Sequence, residues 1–305
     1  MSEDFASYGI FGNNFGYLGR PLSRGSKDAD VAVLGVPYDM GTSGRAGTRH
    51  GPQGIRSASA NLRWEERRWP WRFNLFDRLN VIDSGDLEFP TGESGKMVEL
   101  LEAEAARHLE AGRVLLTLGG DHFITLPLLR AFSRHFGRPL RMIHFDAHTD
   151  TYSNDESRYD HGSMFYHAPR EGILDAEHSV QIGIRTEYDY EDHPFTVIDA
   201  ERFASMGIDK AIAEVREVVG TEPVYITFDI DCLDPAFAPG TGTPVAGGLS
   251  SIDALRMLRG FQGLNLVGMD IVEVAPSYDH AEITSLAAAT LGLEFLYLLA
   301  AERGE

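Results

Sequence analysis

The stretch PLRMIHFDAHTD, residues 139–150, places an apolar run directly before two carboxylates and an imidazole. A short apolar run of this kind is typical of a buried strand. Residues two apart in an extended chain point to the same side, so Asp146, His148 and Asp150 can share one side as the strand ends. The stretch therefore predicts a buried strand that ends in a group of potential metal ligands.

Two further apolar runs end in the same kind of side chain. VLLTL at 114–118 precedes His122 in GGDH, and PVYITF at 223–228 precedes Asp229 and Asp231 in DIDCLDP. In an open α/β sheet, ligands collect at the carboxyl ends of the strands. We therefore expect these side chains to lie close to those of the first motif.

Apolar runs alternate with helical patterns along the chain. This alternation is typical of a parallel sheet with helices on both faces, which is an α/β fold. The predicted strands cover 31–36, 114–118, 139–145, 180–184, 223–228 and 265–269, and the predicted helices cover 51–62, 96–111, 124–136, 207–218 and 282–300. No linker that would separate two domains is evident, so we predict one domain, 1–305, with 1–28 as an N-terminal arm.

Together the motifs supply six potential metal ligands. Any single aspartate after a strand could instead cap a helix or face solvent in a turn. Gathering four carboxylates and two imidazoles would cost heavily in repulsion and desolvation unless cations were present. Carboxylates favour manganese or magnesium over zinc, and the imidazoles favour manganese, while nickel, cobalt and iron remain open. The predicted ligands, for two ions, are His122, Asp146, His148, Asp150, Asp229 and Asp231.

Two more residues are candidates for catalysis. His161, in YDHGSMF, lies on a loop beyond Asp150 and could carry protons near neutral pH. Glu273, in DIVEVAP, follows the predicted strand at 265–269 and could bind a cationic group. Taken alone, each could equally be an ordinary residue: a loop histidine and a capping glutamate.

Composition restricts the partners. Lys plus Arg number 27 and Asp plus Glu number 46, which gives a formal charge of −19. Such a charge argues against nucleic acid and anionic membranes as partners, and it would attract a small cationic substrate. It could equally serve solubility or adaptation to salt.

Cysteine content and hydropathy favour a cytoplasmic protein. The single cysteine, Cys232, excludes an intramolecular disulfide. The first residues contain acidic side chains and no apolar core of a signal peptide. The most apolar segment, 285–300, is short for a membrane span and contains Glu294, so we predict a buried C-terminal helix.

In this order, the motifs GGDH, DAHTD, HGSMF, DIDCLDPAFAPGTGTPVAGG and DIVEVAP resemble the ureohydrolase family of arginases, agmatinases and their relatives. The resemblance covers nearly the whole chain. GVPYDMGTSGRAGTRHGPQGIR at 35–56, NLRWEERRWPW at 61–71 and IGIRTEYD at 182–189 are most similar to bacterial agmatinases.

The resemblance implies a three-layer α/β/α arginase-like fold with two Mn²⁺ ions per subunit. One ion would be held by His122, Asp146, Asp150 and Asp229, and the other by Asp146, His148, Asp229 and Asp231. Asp146 and Asp229 would bridge the two ions. Among the catalytic residues, Glu273 would orient the substrate guanidinium, Asp150 would stabilise the tetrahedral intermediate, and Asp150 or His161 would supply a proton.

For function, the resemblance implies hydrolysis of agmatine to urea and putrescine by a homotrimer or homohexamer. Guanidinobutyrases and guanidinopropionases share the metal motifs, so their substrates remain alternatives. An acidic rim around the pocket favours an amine tail, and the loop at 151–160 offers Asp155, Glu156 and Asp160 against Arg158. A non-catalytic metal-binding homologue would be expected to lack a ligand, and a one-zinc deacetylase would not need both Asp229 and Asp231.

Overall fold

An eight-stranded parallel sheet forms the centre of the protein. The structure is a computed structural model that describes residues 15–25, 28–64, 67–153 and 159–304. The strands lie in the order β2-β1-β3-β8-β7-β4-β5-β6, and all neighbouring strands are parallel. They are β1 (Val31–Val36), β2 (Val81–Asp86), β3 (Val114–Gly119), β4 (Arg141–Phe145), β5 (Val180–Ile182), β6 (Thr196–Ile198), β7 (Val224–Asp229) and β8 (Leu266–Val272).

Helices cover both faces of the sheet. They are α1 (Gly51–Ser59), α2 (Ser94–Glu110), α3 (Thr125–Phe136), α4 (Met164–Arg170), α5 (Ala200–Met206), α6 (Ile208–Val219), α7 (Ser251–Arg259) and α8 (Ile283–Ala301). One buried hydrophobic cluster joins the sheet to α1, α6, α7 and α8, and a second joins its other face to α2, α3 and α4. The predicted three-layer α/β/α architecture is confirmed.

All six predicted strands form, and two edge elements of the sheet were not predicted. The unpredicted strand β2 contains Asp83, whose carboxylate is buried in an ion pair with Arg56. The other, β6, is as short as β5 but only one of its three residues is fully buried, so it lacks the apolar run that marks β5. The helices α4, α5 and α7 were also not predicted. The strand before Glu273 extends to Val272, beyond the predicted end at 269.

The last helix, α8, is long and apolar enough to cross a membrane by length and composition, with a mean hydropathy of 1.7. It lies instead inside the protein, where 72% of its most apolar window is buried. Its Glu294 is fully buried and accepts hydrogen bonds from both Arg259 (2.8 and 3.0 Å) and Trp71. Burial between α1 and α7 explains the composition of α8 and confirms the predicted core helix.

Part of the predicted N-terminal arm at 1–28 lies outside the described residues. In the described part, Tyr17 is buried and its hydroxyl donates to the carbonyl of Ala289 in α8 at 2.6 Å. Leu22 forms a parallel bridge with Asp83 at the edge of the sheet. Residues 15–25 are therefore anchored to the sheet and to α8, and the division of the chain into one domain and an arm stays a prediction.

Candidate metal centre

Four adjacent strands bring the predicted ligands to one edge of the sheet. β3, β8, β7 and β4 lie side by side, and their carboxyl ends share that edge. His122 follows β3 after a short turn, Asp146 directly follows β4, and Asp229 is the last residue of β7. Glu273 directly follows β8. The motifs that are far apart in sequence are thus adjacent in space.

One group of ligands surrounds the imidazole of His122. Its Nδ1 lies 2.9 Å from Asp150 Oδ2, 3.1 Å from Asp146 Oδ2 and 3.4 Å from Asp229 Oδ2. All four side chains are buried. Three carboxylate oxygens and one ring nitrogen therefore converge on one small volume, as a metal site requires.

A second group surrounds His148. Its Nδ1 lies 3.2 Å from Asp146 Oδ1 and 3.2 Å from Asp231 Oδ2. Asp146 belongs to both groups, because its Oδ2 faces His122 and its Oδ1 faces His148. The arrangement suits an aspartate that bridges two ions, and the assignment of ligands to each ion stays a prediction.

The orientation of His122 supports a cation in the first group. Its Nε2 lies 2.8 Å from Thr227 Oγ1, and that hydroxyl donates to Asp270 at 2.6 Å. This contact fixes the ring so that Nδ1 points at the carboxylates, yet none of these oxygens, the nearest of which is 2.9 Å away, lies in hydrogen-bonding geometry with buried Nδ1. Because buried polar atoms are rarely left without a partner, the donor set fits a divalent cation at this position.

Crowding of the acidic groups changes their pKa values. Burial, together with the charge of Asp146, raises the pKa of both Asp150 and Asp231 to about 6. Burial opposes a charged His148, but hydrogen bonds to Asp146 and Asp231 outweigh it and raise the pKa of His148 to about 12. Protons thus offset the carboxylate charge here, and divalent cations can take their place.

His161 and Glu273 contact each other beside the two groups. His161 Nδ1 lies 2.8 Å from Glu273 Oε1, which also accepts the backbone N–H of His122 at 2.8 Å. The Oε2 atom of Glu273 is buried without a hydrogen-bond partner. Within the described part of the protein, Glu273 therefore has one carboxylate oxygen that accepts no hydrogen bond.

The surroundings of His161 suit a proton carrier. Burial opposes a charged ring, but the hydrogen bond with Glu273 outweighs it and raises the pKa of His161 to about 9. The backbone N–H of Ser43 donates to Nε2 at 2.9 Å, which suits the neutral ring. Ser43 Oγ lies 2.7 Å from the same nitrogen and can accept a hydrogen bond from the protonated ring. Ser43 can therefore serve both protonation states.

Backbone strain occurs at two of these positions. Asp150 has φ 52° and Glu273 has φ 64°, a left-handed conformation that is uncommon for residues other than glycine. Each such residue costs on the order of 1–3 kcal/mol and persists only where the surrounding structure holds it. Of the six described residues other than glycine that have a positive φ, two therefore lie at the candidate site.

A cavity of about 230 Å³ opens onto part of these groups, whereas Glu273 is fully buried and is not among the described lining residues. Acidic side chains line it at Asp150, Asp160 and Asp229, and no Lys or Arg is among its described lining residues. Of the predicted rim residues, Asp160 lines the cavity, whereas Asp155, Glu156 and Arg158 lie outside the described residues. The remaining lining residues are Ser43, His148, Tyr152, His161, Gly162 and Thr243.

Sequence reasoning did not identify several residues that support the site. His144 Nε2 lies 2.7 Å from Asp146 Oδ2, and Thr227, Asp270 and Ser43 contact the site as described above. His144 could have been found, because it precedes Asp146 by two residues and an extended chain places such residues on the same side. The contacts of Thr227 and Ser43 depend on segments far apart in sequence and have no local signal.

Comparison with known proteins places the chain in a family. A family model described as the arginase family matches residues 29–297. The chain belongs to the arginase family. It is 58% identical to an agmatinase of Serratia proteamaculans over 296 residues, which is 96% of each chain. It is 57% identical to an agmatinase of Proteus mirabilis over 296 residues, again 96% of each. The predicted resemblance to the ureohydrolases is confirmed.

Two solved structures have the same fold as this chain. A hypothetical agmatinase from Burkholderia thailandensis superposes with a TM-score of 0.92 and 45% identity, covering 96% of this chain and 92% of that one. Proclavaminate amidino hydrolase from Streptomyces clavuligerus gives a TM-score of 0.88 and 39% identity, covering 93% and 96%. The part of the chain that matches the arginase family, residues 29–297, therefore includes the strands and loops that carry the candidate metal centre.

Proposed function

We propose that this member of the arginase family is a hydrolase that cleaves the guanidinium group of agmatine to urea and putrescine at a two-metal centre. The observation that carries the proposal is the convergence of His122, His148 and four aspartates beside the free Oε2 of Glu273. The agmatinases named above, which are 57–58% identical over 96% of the chain, support agmatine as the substrate.

The proposed cofactor is a pair of Mn²⁺ ions. Their ligands would be His122, Asp146, His148, Asp150, Asp229 and Asp231, with Asp146 and Asp229 shared. Bound divalent cations lower the pKa of water from about 15.7 towards about 7 and so supply a nucleophile at neutral pH. The carboxylate-rich donor set is the support for manganese over zinc.

Glu273 is the proposed anchor of the substrate. A guanidinium donates several N–H groups in one plane, and a carboxylate accepts them through charge-assisted hydrogen bonds. Oε1 of Glu273 is held by His161 and by the backbone of His122, so Oε2 is fixed in position before substrate binds. This pre-organisation would hold the guanidinium carbon beside the metal ligands.

Asp150 and His161 are the proposed proton donors to the leaving amine. Departure of the amine requires a proton, and both side chains line the cavity that would hold the substrate. The pKa of His161, about 9, keeps the ring protonated near neutral pH. His161 can therefore release a proton towards the site and, through its edge at the cavity, recover one from solvent.

The cavity supports a cationic tail on the substrate. Asp160 would face the distal ammonium of agmatine, and a carboxylate tail would meet Asp150, Asp160 and Asp229, with no Lys or Arg among the described lining residues. Placing an anion there costs desolvation and repulsion. Agmatine is therefore preferred over arginine, which carries an α-carboxylate.

Urea release from four substrates tests the proposal. Agmatine, arginine, 4-guanidinobutanoate and 3-guanidinopropanoate are assayed under identical manganese loading, and kcat/KM is compared. We expect agmatine to exceed arginine by at least about 100-fold, the discrimination of roughly 3 kcal/mol that an unpaired buried charge imposes. Equal values for arginine would contradict the agmatine assignment, and a preference for guanidinobutanoate would replace agmatine with that substrate. No urea from any of the four would favour a non-catalytic homologue.

The resemblance to ureohydrolases is the support for two further proposals. The protein would assemble as a homotrimer or homohexamer, which sedimentation at equilibrium measures directly. Its proposed location is the cytoplasm, which fits a chain with one buried cysteine, Cys232.

A further inference from the structure

We propose that His144, Gln181 and His193 form a hydrogen-bonded relay that positions Asp146 for the metal centre. None of the three was singled out by the sequence motifs, and none lies in the proposed ligand set. The inference rests on the proposed function only in that Asp146 is taken as a metal ligand.

The relay begins with two adjacent parallel strands. His144 in β4 is in register with Gln181 in β5, so their side chains lie on the same side of the sheet. His144 Nε2 lies 2.7 Å from Asp146 Oδ2, and Gln181 Nε2 lies 3.0 Å from His144 Nδ1. His193, from the loop before β6, places its Nε2 2.7 Å from Gln181 Oε1. The chain of contacts is therefore continuous from His193 to Asp146.

The direction of each hydrogen bond follows from Gln181. Its Nε2 also lies 2.7 Å from the carbonyl oxygen of Thr149, which can only accept. The amide nitrogen must therefore face Thr149 and His144, and it donates one hydrogen to each. His144 Nδ1 then accepts, so His144 Nε2 carries the hydrogen that it donates to Asp146. Gln181 Oε1 in turn accepts from His193 Nε2.

Gln181 also fixes the ligand loop directly. Thr149 lies between His148 and Asp150, so the hydrogen bond to its carbonyl holds the backbone that carries both of these proposed ligands. One buried amide thus controls the side chain of Asp146 through His144 and the backbone of the DAHTD loop through Thr149. Such contacts beyond the ligands typically change metal affinity or activity about 10- to 100-fold when removed.

The outer end of the relay reaches a second cavity. His193 lines a space of about 840 Å³ together with Tyr152, Tyr166 and Tyr188, whereas His144 and Gln181 are fully buried. The relay therefore runs from a partly exposed imidazole to a buried carboxylate. Removal of His193 should loosen the relay least, because Gln181 keeps its contacts with Thr149 and His144.

Metal affinity of matched variants tests the relay. Mn²⁺ dissociation constants are measured by competition with a chelator for wild type, His144→Phe, His144→Gln, Gln181→Leu and His193→Ala. His144→Phe keeps the ring volume beside Phe165 but removes the donor, and we expect about 10- to 100-fold weaker binding. His144→Gln places an amide N–H near the position of Nε2, so it should recover most of the affinity. Gln181→Leu should weaken binding to an intermediate degree, and His193→Ala by a few-fold.

His178→Ala is the matched control. His178 is a partly exposed histidine close to β5 that pairs with Asp175 at 2.9 Å, and it has no contact with the relay. Its removal should leave metal affinity unchanged. Electron paramagnetic resonance of the Mn²⁺-loaded variants adds a spectroscopic signature, because loss of the donor to a shared ligand alters the coupling between two ions. Thermal unfolding of the metal-free variants separates loss of fold from loss of affinity.

A folded His144→Phe variant with wild-type affinity and spectrum would overturn the relay. If that variant does not fold, unchanged affinity in both Gln181→Leu and His193→Ala overturns it instead. Asp146→Ala separates this failure from failure of the proposed function. Loss of metal in Asp146→Ala with normal binding in the relay variants rejects the relay alone, whereas normal binding in Asp146→Ala rejects the proposed metal site.

Discussion

Asp146 is the residue on which the two halves of the site depend. Its Oδ2 faces His122 and His144, and its Oδ1 faces His148 and accepts that residue's backbone N–H at 2.7 Å. Burial would raise the pKa of Asp146, but His144, His122 and His148 outweigh it and lower the pKa well below its usual range. Asp146 is thus an anion whose two oxygens already point in different directions, as a bridging ligand needs.

We predict that Asp146→Ala and Asp229→Ala each abolish activity and lower the metal content below two ions per subunit. Each change removes a ligand that both ions would share. Elemental analysis and urea release measure the two effects. Asp209→Ala is the control, because Asp209 lies in the first turn of α6 with its side chain 93% exposed. Wild-type turnover in either ligand variant would contradict the binuclear centre.

A second prediction concerns His161. His161→Phe should keep two metals but lose about 10²- to 10⁴-fold in kcat, the usual contribution of a positioned proton carrier. His135→Phe, at an exposed position in the last turn of α3, should keep the wild-type rate. Loss of metal in His161→Phe would show that His161 is a ligand or a structural support.

A third prediction concerns the pH dependence of kcat, which should reflect the protonation of His161. Because the pKa of His161 is raised to about 9, the ring is protonated below that pH and loses its proton as the pH rises through it. We expect wild-type kcat to fall above about pH 9. The His161→Phe variant should lack this fall, and a persisting alkaline limb would assign it to another group.

At the scale of elements, loops after strands carry the chemistry while helices hold the strands in place. α1 illustrates this, because Arg56 on it forms a bidentate ion pair with Asp83 in β2, at 2.8 and 2.9 Å. Asp83 also accepts the backbone N–H of Tyr17 at 2.7 Å. One buried carboxylate therefore ties the first helix, the edge of the sheet and the N-terminal segment together.

We predict that Arg56→Ala lowers the free energy of unfolding by about 3–5 kcal/mol. The change leaves Asp83 buried without its partner, and an uncompensated buried charge is costly. Chemical denaturation measures the effect, and metal content per folded molecule should stay at the wild-type value. Lys96→Ala is the control, since Lys96 pairs with Glu99 on the surface of α2 and its loss should leave stability nearly unchanged. Equal stability of the two variants would contradict the proposed role of the pair.

At the scale of the whole molecule, the net charge of the chain and the carboxylates that line the cavity are both negative. The chain carries a formal charge of −19, and the cavity over the candidate site is lined by aspartates. A field of this sign concentrates a cationic substrate near the site and repels anions. Net charge would therefore contribute to capture of the proposed cationic substrate and not to the chemical step.

We predict that kcat/KM for agmatine falls several-fold when ionic strength rises from about 0.01 M to about 1 M, because the Debye length shrinks from roughly 30 Å to roughly 3 Å. Agmatine carries two positive charges and arginine a net charge of one, so arginine should respond less. kcat at saturating substrate should change little. An agmatine kcat/KM that does not depend on salt would show that the charge serves another purpose.

The amino-acid sequence by itself determined the parallel sheet and the six proposed ligands. Short apolar runs report buried strands locally, and motifs that follow them must meet at the carboxyl edge of a parallel sheet. Asp146, His148 and Asp231 could therefore be placed together without coordinates. The edge strands β2 and β6 could not, since one contains a buried charge and the other has only one fully buried residue among its three.

Only the tertiary structure decided how the site is supported. His144, Gln181 and His193 become one relay because β4 and β5 pair in a particular register and a loop closes over them. The left-handed backbone of Glu273, and its contact with His161 112 positions away, likewise depend on packing between distant segments. The hydrophobic periodicity of the sequence indicates whether a segment is a strand or a helix and which of its faces is buried. The contacts of the site depend instead on which segments become neighbours and which polar groups are buried together.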